Sequence, residues 1–267
     1  MSQPSPPSHS PLTNMVSKNN LFMDWFRGFI DSEGYFGINW NGPNGFVFEF
    51  AIELHLDDLP CLLDIQANLS ELLGLDSATE VIGAVSEKSK GKTAAFRVTK
   101  QEHLVKLLGL LAKYPINSKK YLYLLSFKRA FELYLSYKDK SNHILISTIN
   151  EIKGGMNKAR TDFNMPSDFS FSITPGWLLG FIEGDGSFFI RERYTQLDFN
   201  LGQSGRDEAL LNEIRDFLLS LPSGDKIETL KVRVNKTVDK RFHRTLLELI
   251  IDQQDAINNV IIPFLLN

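Results

Sequence analysis

The chain contains a single cysteine, Cys61, among its 267 residues. An intrachain disulfide is therefore impossible, and the chain suits a reducing compartment. No apolar run approaches the roughly 18 residues that a membrane-spanning helix needs, so we expect no membrane partner. A hydrophobic fraction of 43% nevertheless supports a substantial core, and we expect Cys61 to be a packed thiol within it.

The chain also lacks an excess of positive charge. Its formal net charge is −3, which by itself argues against a nucleic-acid partner. Basic residues are nevertheless concentrated in two stretches, residues 86–100 and residues 226–244. These stretches fit solvated hairpin edges, where lysine discourages aggregation, and they also fit contacts to a phosphate-rich partner. The charge pattern alone leaves both interpretations open.

The first twenty residues show no hydrophobic periodicity. They are rich in Pro, Ser and Asn and contain no arginine. This composition predicts a disordered tail over residues 1–20. The segment is a poor transit peptide, and it has no apolar core of the kind found in secretory signals.

What the chain does contain is a repeated segment. Residues 25–36 read WFRGFIDSEGYF, and residues 177–188, which lie 152 positions later, read WLLGFIEGDGSF. This period is too long for a solenoid, whose repeats are about 20–50 residues. It predicts two similar half-domains in one chain, with the first at residues 21–160, a linker at 161–174 and the second at 175–267.

Each copy of the motif is followed by the same order of patterns. Alternating apolar residues predict paired strands after each motif, around 36–40 and 46–52, and around 188–190 and 197–201. An amphipathic helix follows in each half, then strands around 79–85 and 93–99, and around 226–234 and 243–251. Further helices begin near Gln101 and Gln253, and long helices are predicted from about 118 to 157. This order predicts an α+β fold with helices on one face of each sheet.

Each motif keeps two small residues four positions apart, Gly28 and Ser32 in the first copy and Gly180 and Gly184 in the second. Residues i and i+4 share a helix face, and glycine inside a helix costs roughly 1 kcal/mol relative to alanine. Close approach of two helix backbones would compensate for that cost. The alternative is a kink at a single glycine in each helix.

Two acids, Glu33 and Asp185, directly follow the small pairs at the predicted helix ends. If the motif helices pack face to face, both carboxylates lie together, which is costly unless a cation lies between them. Oxygen ligands select Mg²⁺, which is completed by water and substrate phosphate and can activate water against a phosphodiester. Asp31 and Glu183 lie on another side of each helix, and we interpret them as structural. The alternative for all four acids is simple solvated charge.

The segments FRGFIDSEG and LLGFIEGDG resemble the nine-residue motif of the LAGLIDADG homing endonucleases, in the form that carries two motifs in one chain. The resemblance covers most of residues 21–267, including the flanks ITPGWLLGFIEGDGSFF and FRVTKQEHLVKLLGLLAKYPINSKK. It implies two pseudo-symmetric αββαββα halves that form a saddle over double-stranded DNA, with the motif helices packed at the interface. It further implies a monomeric, intron-encoded mitochondrial enzyme that uses Mg²⁺ or another divalent cation such as Mn²⁺.

The resemblance also implies roles for motif residues. The acid that binds the metal falls on Glu33 and Asp185. The backbone carbonyl groups of Ser32 and Gly184 would complete the coordination.

Two further catalytic positions are implied outside the motifs. A polar residue that positions water falls on Gln203, whereas the matching position of the first half is Leu54, followed by His55. A lysine near the active site falls on Lys119, with Lys120 as a close alternative. The sequence offers no counterpart of this lysine in the second half, which is therefore expected to be shortened.

The resemblance further implies that the sheets face the DNA major groove. Strand parity separates Arg191 and Arg193 from the core-facing Phe188 and Ile190, which makes the arginines candidates for contacts with guanine or phosphate. In the first half, Glu49 and Glu53 share the open face with two asparagines. The candidate DNA-binding residues are Asn39, Asn41, Arg191, Arg193, Lys231, Arg233, Lys236, Lys240 and Arg241.

Three functions fit these observations. A site-specific DNA endonuclease that makes a metal-dependent double-strand break at a long, pseudo-symmetric target is favoured, because both motif acids are present. An intron maturase would bind RNA and keep the helix seam and the basic surface without needing both acids. A cleavage-defective remnant that only binds DNA is the third. The glycine-rich GDGSFF has the spacing of neither a dinucleotide fingerprint nor a calcium loop.

Overall fold

The computed structural model describes residues 11–42, 45–75, 79–88, 91–192, 196–221, 233–239 and 244–266. Its first half begins with helix α1 (Pro11–Glu33), which leads directly into a hairpin of strands β1 (Gly34–Trp40) and β2 (Phe46–His55). The rest of this half consists of α2 (Leu59–Leu72), β3 (Ala84–Glu87), β4 (Thr93–Val98), α3 (Gln101–Lys113), α4 (Lys120–Ser136) and α5 (His143–Gly154).

The second half repeats the opening order of the first. It consists of α6 (Pro175–Asp185), β5 (Gly186–Arg191), β6 (Gln196–Ser204), α7 (Glu208–Ser220), β7 (Arg233–Asp239), β8 (Arg244–Ile251), α8 (Gln254–Ala256), a π-helical turn (Ile257–Ile261) and α9 (Ile262–Leu266). The predicted α+β class and the αββαββα order of both halves are confirmed.

Both halves contain a four-stranded antiparallel sheet. The strand orders are β1-β2-β4-β3 and β5-β6-β8-β7, so each motif helix runs into an outer strand that pairs with the next strand along the chain. Each sheet buries one face against its own helices. Phe26, Phe50 and Phe96 are fully buried in the first core, and Trp177 and Phe199 are fully buried in the second.

The N-terminal segment differs from the predicted tail. Helix α1 begins at Pro11, so residues 11–20 are helical, whereas residues 1–10 lie outside the described part of the chain. The Tyr114 hydroxyl donates to Asn20 at 2.5 Å, and the Lys18 amino group lies 3.3 Å from Glu71. Extending a helix that is already packed requires no new nucleus, so a segment without hydrophobic periodicity continues the motif helix.

One strand lies later in the sequence than predicted. The strand expected around 79–85 is β3 (Ala84–Glu87), because Gly83 directly before it has a φ of +60° and packs against the Arg97 carbonyl. Of the strand expected around 226–234, the structure describes Arg233 and Val234 as the start of β7 (Arg233–Asp239), whose register pairs Arg233 with Ile250. Residues 226–232 lie outside the described residues. Sequence alternation is thus a weaker guide to strand ends than pairing is.

The outer strand of the second half is less covered than predicted. Phe188 packs against Phe199, with ring centroids 5.1 Å apart, which confirms that it faces the helices. Phe188 and Ile190 are nevertheless 43% and 65% exposed. In the first half α4 covers the corresponding face through Phe127, which packs against Phe36. The described residues of the second half include no counterpart of α4, so strand parity is correct and the predicted burial is wrong.

No helix within the described residues is both long enough and apolar enough to cross a membrane.

Candidate active site

Helices α1 and α6 pack against each other along a seam with two glycine contacts. A Cβ atom on Gly28 would lie 1.9 Å from the carbonyl oxygen of Trp177, and one on Gly180 would lie 2.0 Å from that of Trp25. No side chain fits at these distances. The glycines therefore serve the contact between the two helices, as their spacing predicts.

The second small pair also meets across this seam. A Cβ atom on Gly184 would lie 2.0 Å from the Ser32 hydroxyl oxygen and 3.2 Å from the Glu33 Cγ. The Ser32 hydroxyl itself donates to the carbonyl oxygen of Phe29 at 2.9 Å. These contacts place Glu33 beside the last turn of α6, at the end of the seam.

The two predicted metal-binding acids, Glu33 and Asp185, are the last residues of α1 and α6. Burial, and next the charge of Asp185, raise the pKa of Glu33. Burial also raises the pKa of Asp185, while a hydrogen bond from the Gln203 amide opposes that shift. The carboxylates therefore repel each other in a poorly hydrated place, and a cation between them would remove that cost.

The Gln203 amide lies where the sequence predicts it, with its nitrogen donating to the Asp185 carboxylate. Leu54 occupies the matching position of the first half and packs against the core. The neighbouring His55 accepts the Asp57 backbone N–H at 3.4 Å through its Nδ1. Within the described residues, Glu33 has no amide partner of this kind.

The lysine that reaches the seam is Lys120, the alternative to Lys119. Its amino group donates to the carbonyl oxygen of Ser32. Burial lowers the pKa of Lys120, and the charges of the surrounding carboxylates, Asp31 first, oppose that shift. Lys119 instead contributes its backbone N–H, which donates to Asp207 at 2.8 Å. Sequence reasoning favoured Lys119 because only the first turn of α4 decides which of two adjacent lysines points at the seam.

The remaining motif acids, Asp31 and Glu183, bind tryptophans across the seam. Asp31 accepts the indole N–H of Trp177 at 2.8 Å, and Glu183 accepts that of Trp25 at 2.7 Å. Each acid thus binds the first residue of the other copy of the motif. These bonds confirm the structural interpretation of both acids.

The segment before α4 is held by two buried carboxylates. Asp31 accepts the backbone N–H groups of Asn117 and Ser118 at 2.6 and 2.7 Å, and Asp207 accepts the next one, from Lys119. Burial raises the pKa of Asp207 to about 6. Sequence reasoning missed Asp207, since one acid after a strand resembles many others on a protein surface.

The donor set at the end of the seam fits a hard divalent cation. No cluster of three or more His, Cys, Asp or Glu residues that could hold a metal exists in the described part of the chain. The two carboxylates and nearby carbonyl oxygens would therefore leave most coordination positions to water and phosphate, which is the arrangement that Mg²⁺ favours. The Ser32 carbonyl accepts a hydrogen bond from Lys120, so its role as a metal ligand, like that of the Gly184 carbonyl, stays a prediction.

A cleft of about 730 Å³ lies on the Glu33 side of the seam. Its lining consists of Phe29, Glu33, Glu53, Leu54, His55, Asp58, Cys61, Thr93, Glu183 and Gly184. Asp58 ends the 3₁₀ turn after β2, as Asp207 ends the one after β6. By the internal repeat, the cleft therefore corresponds to the space that residues 117–120 fill beside Asp207. Burial raises the pKa of Cys61 to about 11, which favours an unreactive packed thiol.

The open face of the second sheet carries two of the predicted arginines. Arg191 donates to the buried Asp198 carboxylate and lies 4.0 Å from Asp252, while Arg233 donates to the same Asp252 carboxylate. Their positions agree with strand parity, but both guanidinium groups already have carboxylate partners. A DNA phosphate or base would have to share or replace those partners.

Lys236 lies on the opposite face of this sheet. Its register partner is the buried Leu247, and its amino group lies 3.1 Å from Glu208 at the start of α7. The period of two in a strand therefore directs Lys236 toward the helices, away from the open face. The other predicted contacts Arg193, Lys231, Lys240 and Arg241 lie outside the described residues.

The open face of the first sheet is a polar network. Asn39 donates to Glu49 at 3.5 Å, and Arg97 donates to the same carboxylate at 2.8 Å. Glu53 accepts hydrogen bonds from Lys88 and Thr93. Arg97 lies on this face but was not singled out from the sequence. Asn41 lies beyond β1, where its backbone N–H donates to Gly45 at 2.7 Å.

Comparison with known proteins agrees with this geometry. The family model described as "LAGLIDADG endonuclease" matches residues 26–131 and 178–267. The chain is 28% identical over 217 residues to the probable intron-encoded endonuclease Cox1-I1b of Schizosaccharomyces pombe, covering 79% of this chain and 53% of that protein. It is 26% identical over 258 residues to the uncharacterized mitochondrial protein RF1 of Saccharomyces cerevisiae, covering 92% of this chain and 51% of that protein. The chain thus spans about half the length of these relatives.

A solved structure shares the fold. The structure of I-SmaMI bound to an uncleaved DNA target in the presence of calcium ions superposes with a TM-score of 0.69 and 22% identity, covering 91% of this chain and 83% of that chain.

Proposed function

Because this chain belongs to the LAGLIDADG endonuclease family, we propose that it is a site-specific DNA endonuclease that makes a metal-dependent double-strand break. The observation that carries the proposal is the meeting of Glu33 and Asp185 at the end of the α1–α6 seam, where burial and the charge of Asp185 raise the pKa of Glu33. A purely structural seam has no use for two partly buried carboxylates in one place.

The residues at the seam divide the chemical work. Glu33 and Asp185 would hold a divalent cation, which would lower the pKa of a bound water and stabilise the leaving oxygen of the phosphodiester. The Gln203 amide orients the Asp185 carboxylate. Lys120 brings a positive charge to the same place, where it stabilises the charge that develops on the phosphate.

The two sheets supply recognition in this proposal. Each open face would follow one half of a long target, so a pseudo-symmetric molecule would read a pseudo-symmetric site. Because both motifs lie in one chain and pack against each other, the enzyme would act as a monomer. The DNA bound by the I-SmaMI structure supports the class of partner, and the two yeast relatives support an intron-encoded, mitochondrial origin.

The test begins with selection of cleaved sites from a random DNA library in Mg²⁺, with a chelator control. On a selected site, Glu33→Gln and Asp185→Asn should each abolish cleavage and leave DNA binding intact, because cation binding is lost while the fold and the open faces remain. The matched control is Glu183→Gln, two residues before Asp185, whose amide oxygen still accepts the Trp25 indole N–H.

Full cleavage by the double variant would refute the assignment of the two acids. If no site is cleaved by the unaltered protein, a DNA-binding remnant or an RNA-binding maturase becomes the better description. Binding of the selected DNA and of intron RNA would separate those two alternatives.

A further inference from the structure

We infer that Asp207 is a positioning residue for Lys120, and that through it the second half of the molecule controls the lysine supplied by the first half. The inference rests on the proposed function, since it assumes that Lys120 assists cleavage. It concerns a residue outside both motifs, on the 3₁₀ turn that follows β6.

Asp207 holds the start of α4 through a hydrogen bond from the Lys119 backbone N–H, and we call this contact the clamp. Lys119 is the residue before the helix and Lys120 is its first residue. The Asp207 carboxylate accepts the Lys119 backbone N–H at 2.8 Å, and Asp207 is only 8% exposed. The Lys119 N–H that Asp207 binds is therefore one residue before Lys120, whose amino group donates to the Ser32 carbonyl.

A second carboxylate holds the preceding amides. Asp31 accepts the N–H groups of Asn117 and Ser118. Together with the Lys119 N–H, three consecutive backbone N–H groups therefore donate to two carboxylates. Negative charge is favourable at the start of a helix, where N–H groups have no intrahelical partner. Asp31 belongs to the seam helix of the first half and Asp207 to the second half. The start of α4 is therefore fixed relative to both halves at once.

Among the residues that the structure describes, the clamp exists on one side of the seam only. Asp58, the counterpart of Asp207 after β2, is exposed, and its side chain caps no backbone N–H. It lines the cleft beside Glu33. Asp58 is thus a matched control: an acid at the corresponding place in the repeat, without the contact that the inference depends on.

The experiment is a double-mutant cycle read in strand-resolved single-turnover cleavage. Asp207→Ala should slow the strand that depends on Lys120 by about 10- to 100-fold, as expected for a displaced catalytic group, with DNA affinity unchanged. Asp207→Asn, which keeps an oxygen acceptor, should recover part of the loss. In a Lys120→Met background Asp207→Ala should have no further effect on that strand, because residues that act through one another are not additive. Asp58→Ala should change either rate less than about twofold.

The outcomes separate this inference from the proposed function. If Lys120→Met slows cleavage but Asp207→Ala does not, or if the two losses multiply, the positioning role is overturned while the proposed function survives. If Lys120→Met itself has no effect, the assumption about the lysine fails and the inference falls with it. Amide hydrogen exchange of the segment 117–122 tests the clamp independently of cleavage. Faster exchange in Asp207→Ala than in Asp58→Ala supports the clamp, and equal exchange overturns it.

Discussion

Two neighbouring lysines show how much a single residue position decides in this site. Lys120 donates to the Ser32 carbonyl, whereas Lys119 contributes a backbone amide. We predict that Lys120→Met slows cleavage of one strand at least tenfold, a loss of about 1.4 kcal/mol of transition-state stabilisation. Lys119→Met removes the same charge one position earlier and should have little effect.

End-labelled duplex in single-turnover conditions measures both strands at once. Equal losses in the two lysine variants would mean that the site needs positive charge nearby and not an ammonium group at one position.

The raised pKa of the buried acid Asp207 makes the stability of the protein depend on pH. This pKa is raised from 3.8 to about 6, so between these values the folded chain keeps a proton that the unfolded chain has released. Stability contributed by this group is therefore full at low pH and is lost as pH rises toward 6. A shift of this size corresponds to roughly 3 kcal/mol.

We predict that Asp207→Asn, which cannot titrate, becomes more stable relative to the unaltered protein as the pH rises through this window. The difference in free energy of unfolding between the two proteins should move in favour of the variant by up to roughly 3 kcal/mol from pH 4 to pH 6.5. Urea unfolding at several pH values measures it. A difference that does not vary with pH would show that Asp207 has an ordinary pKa.

At the scale of elements, the α1–α6 seam depends on the absence of side chains. Gly28→Ala would place a methyl group 1.9 Å from the Trp177 carbonyl oxygen, which is backbone and cannot rotate away. We predict that the helices separate, with a loss of at least about 1–3 kcal/mol in stability and of cleavage, because the two acids move apart. Gly109→Ala is the control, since nothing lies within 4 Å of that position in α3.

Alanine in place of Gly109 should stabilise the protein by roughly 0.5–1 kcal/mol, through its better helix propensity. Thermal unfolding of both variants provides the comparison. A Gly28→Ala variant that is as stable as the Gly109→Ala variant would contradict the close packing of the seam.

The whole molecule has two similar halves with unlike surroundings for their acids. The Gln203 amide donates to Asp185, whereas Glu33 faces a cleft and has Leu54 at the position of the glutamine, and the Lys120 charge acts on both acids. A difference of only 1.4 kcal/mol between the two barriers gives a tenfold difference in rate. We predict sequential cleavage, in which a nicked duplex accumulates and the same strand is always cut first.

Supercoiled plasmid with one target site reports this directly, since nicked circles should precede linear product. Simultaneous cutting of both strands, with no nicked intermediate at any enzyme concentration, would mean that other residues compensate for the unlike surroundings and equalise the two barriers.

The features that depend on local pattern and on the repeat were predictable from the sequence alone. The four-residue spacing within each small pair, Gly28 with Ser32 and Gly180 with Gly184, predicted the seam, because small residues on one helix face let two helix backbones approach closely. Position in the motif predicted that Glu33 and Asp185 meet, and a period of two predicted the faces of Arg191 and Phe188. Each of these follows from neighbours within a few residues or from the second copy.

The features that depend on contacts between distant segments are visible only in the folded chain. Asp207 reaches Lys119 across 88 positions of sequence, and that contact, with the first turn of α4, selects Lys120 over its neighbour. The exposure of Phe188 depends on whether a helix covers β5, and the local sequence pattern does not predict that coverage. The unequal surroundings of the two acids arise for the same reason: the repeat places equivalent acids on both sides of the seam, but packing brings residues 117–120 against Asp207 and leaves a cleft beside its counterpart Asp58.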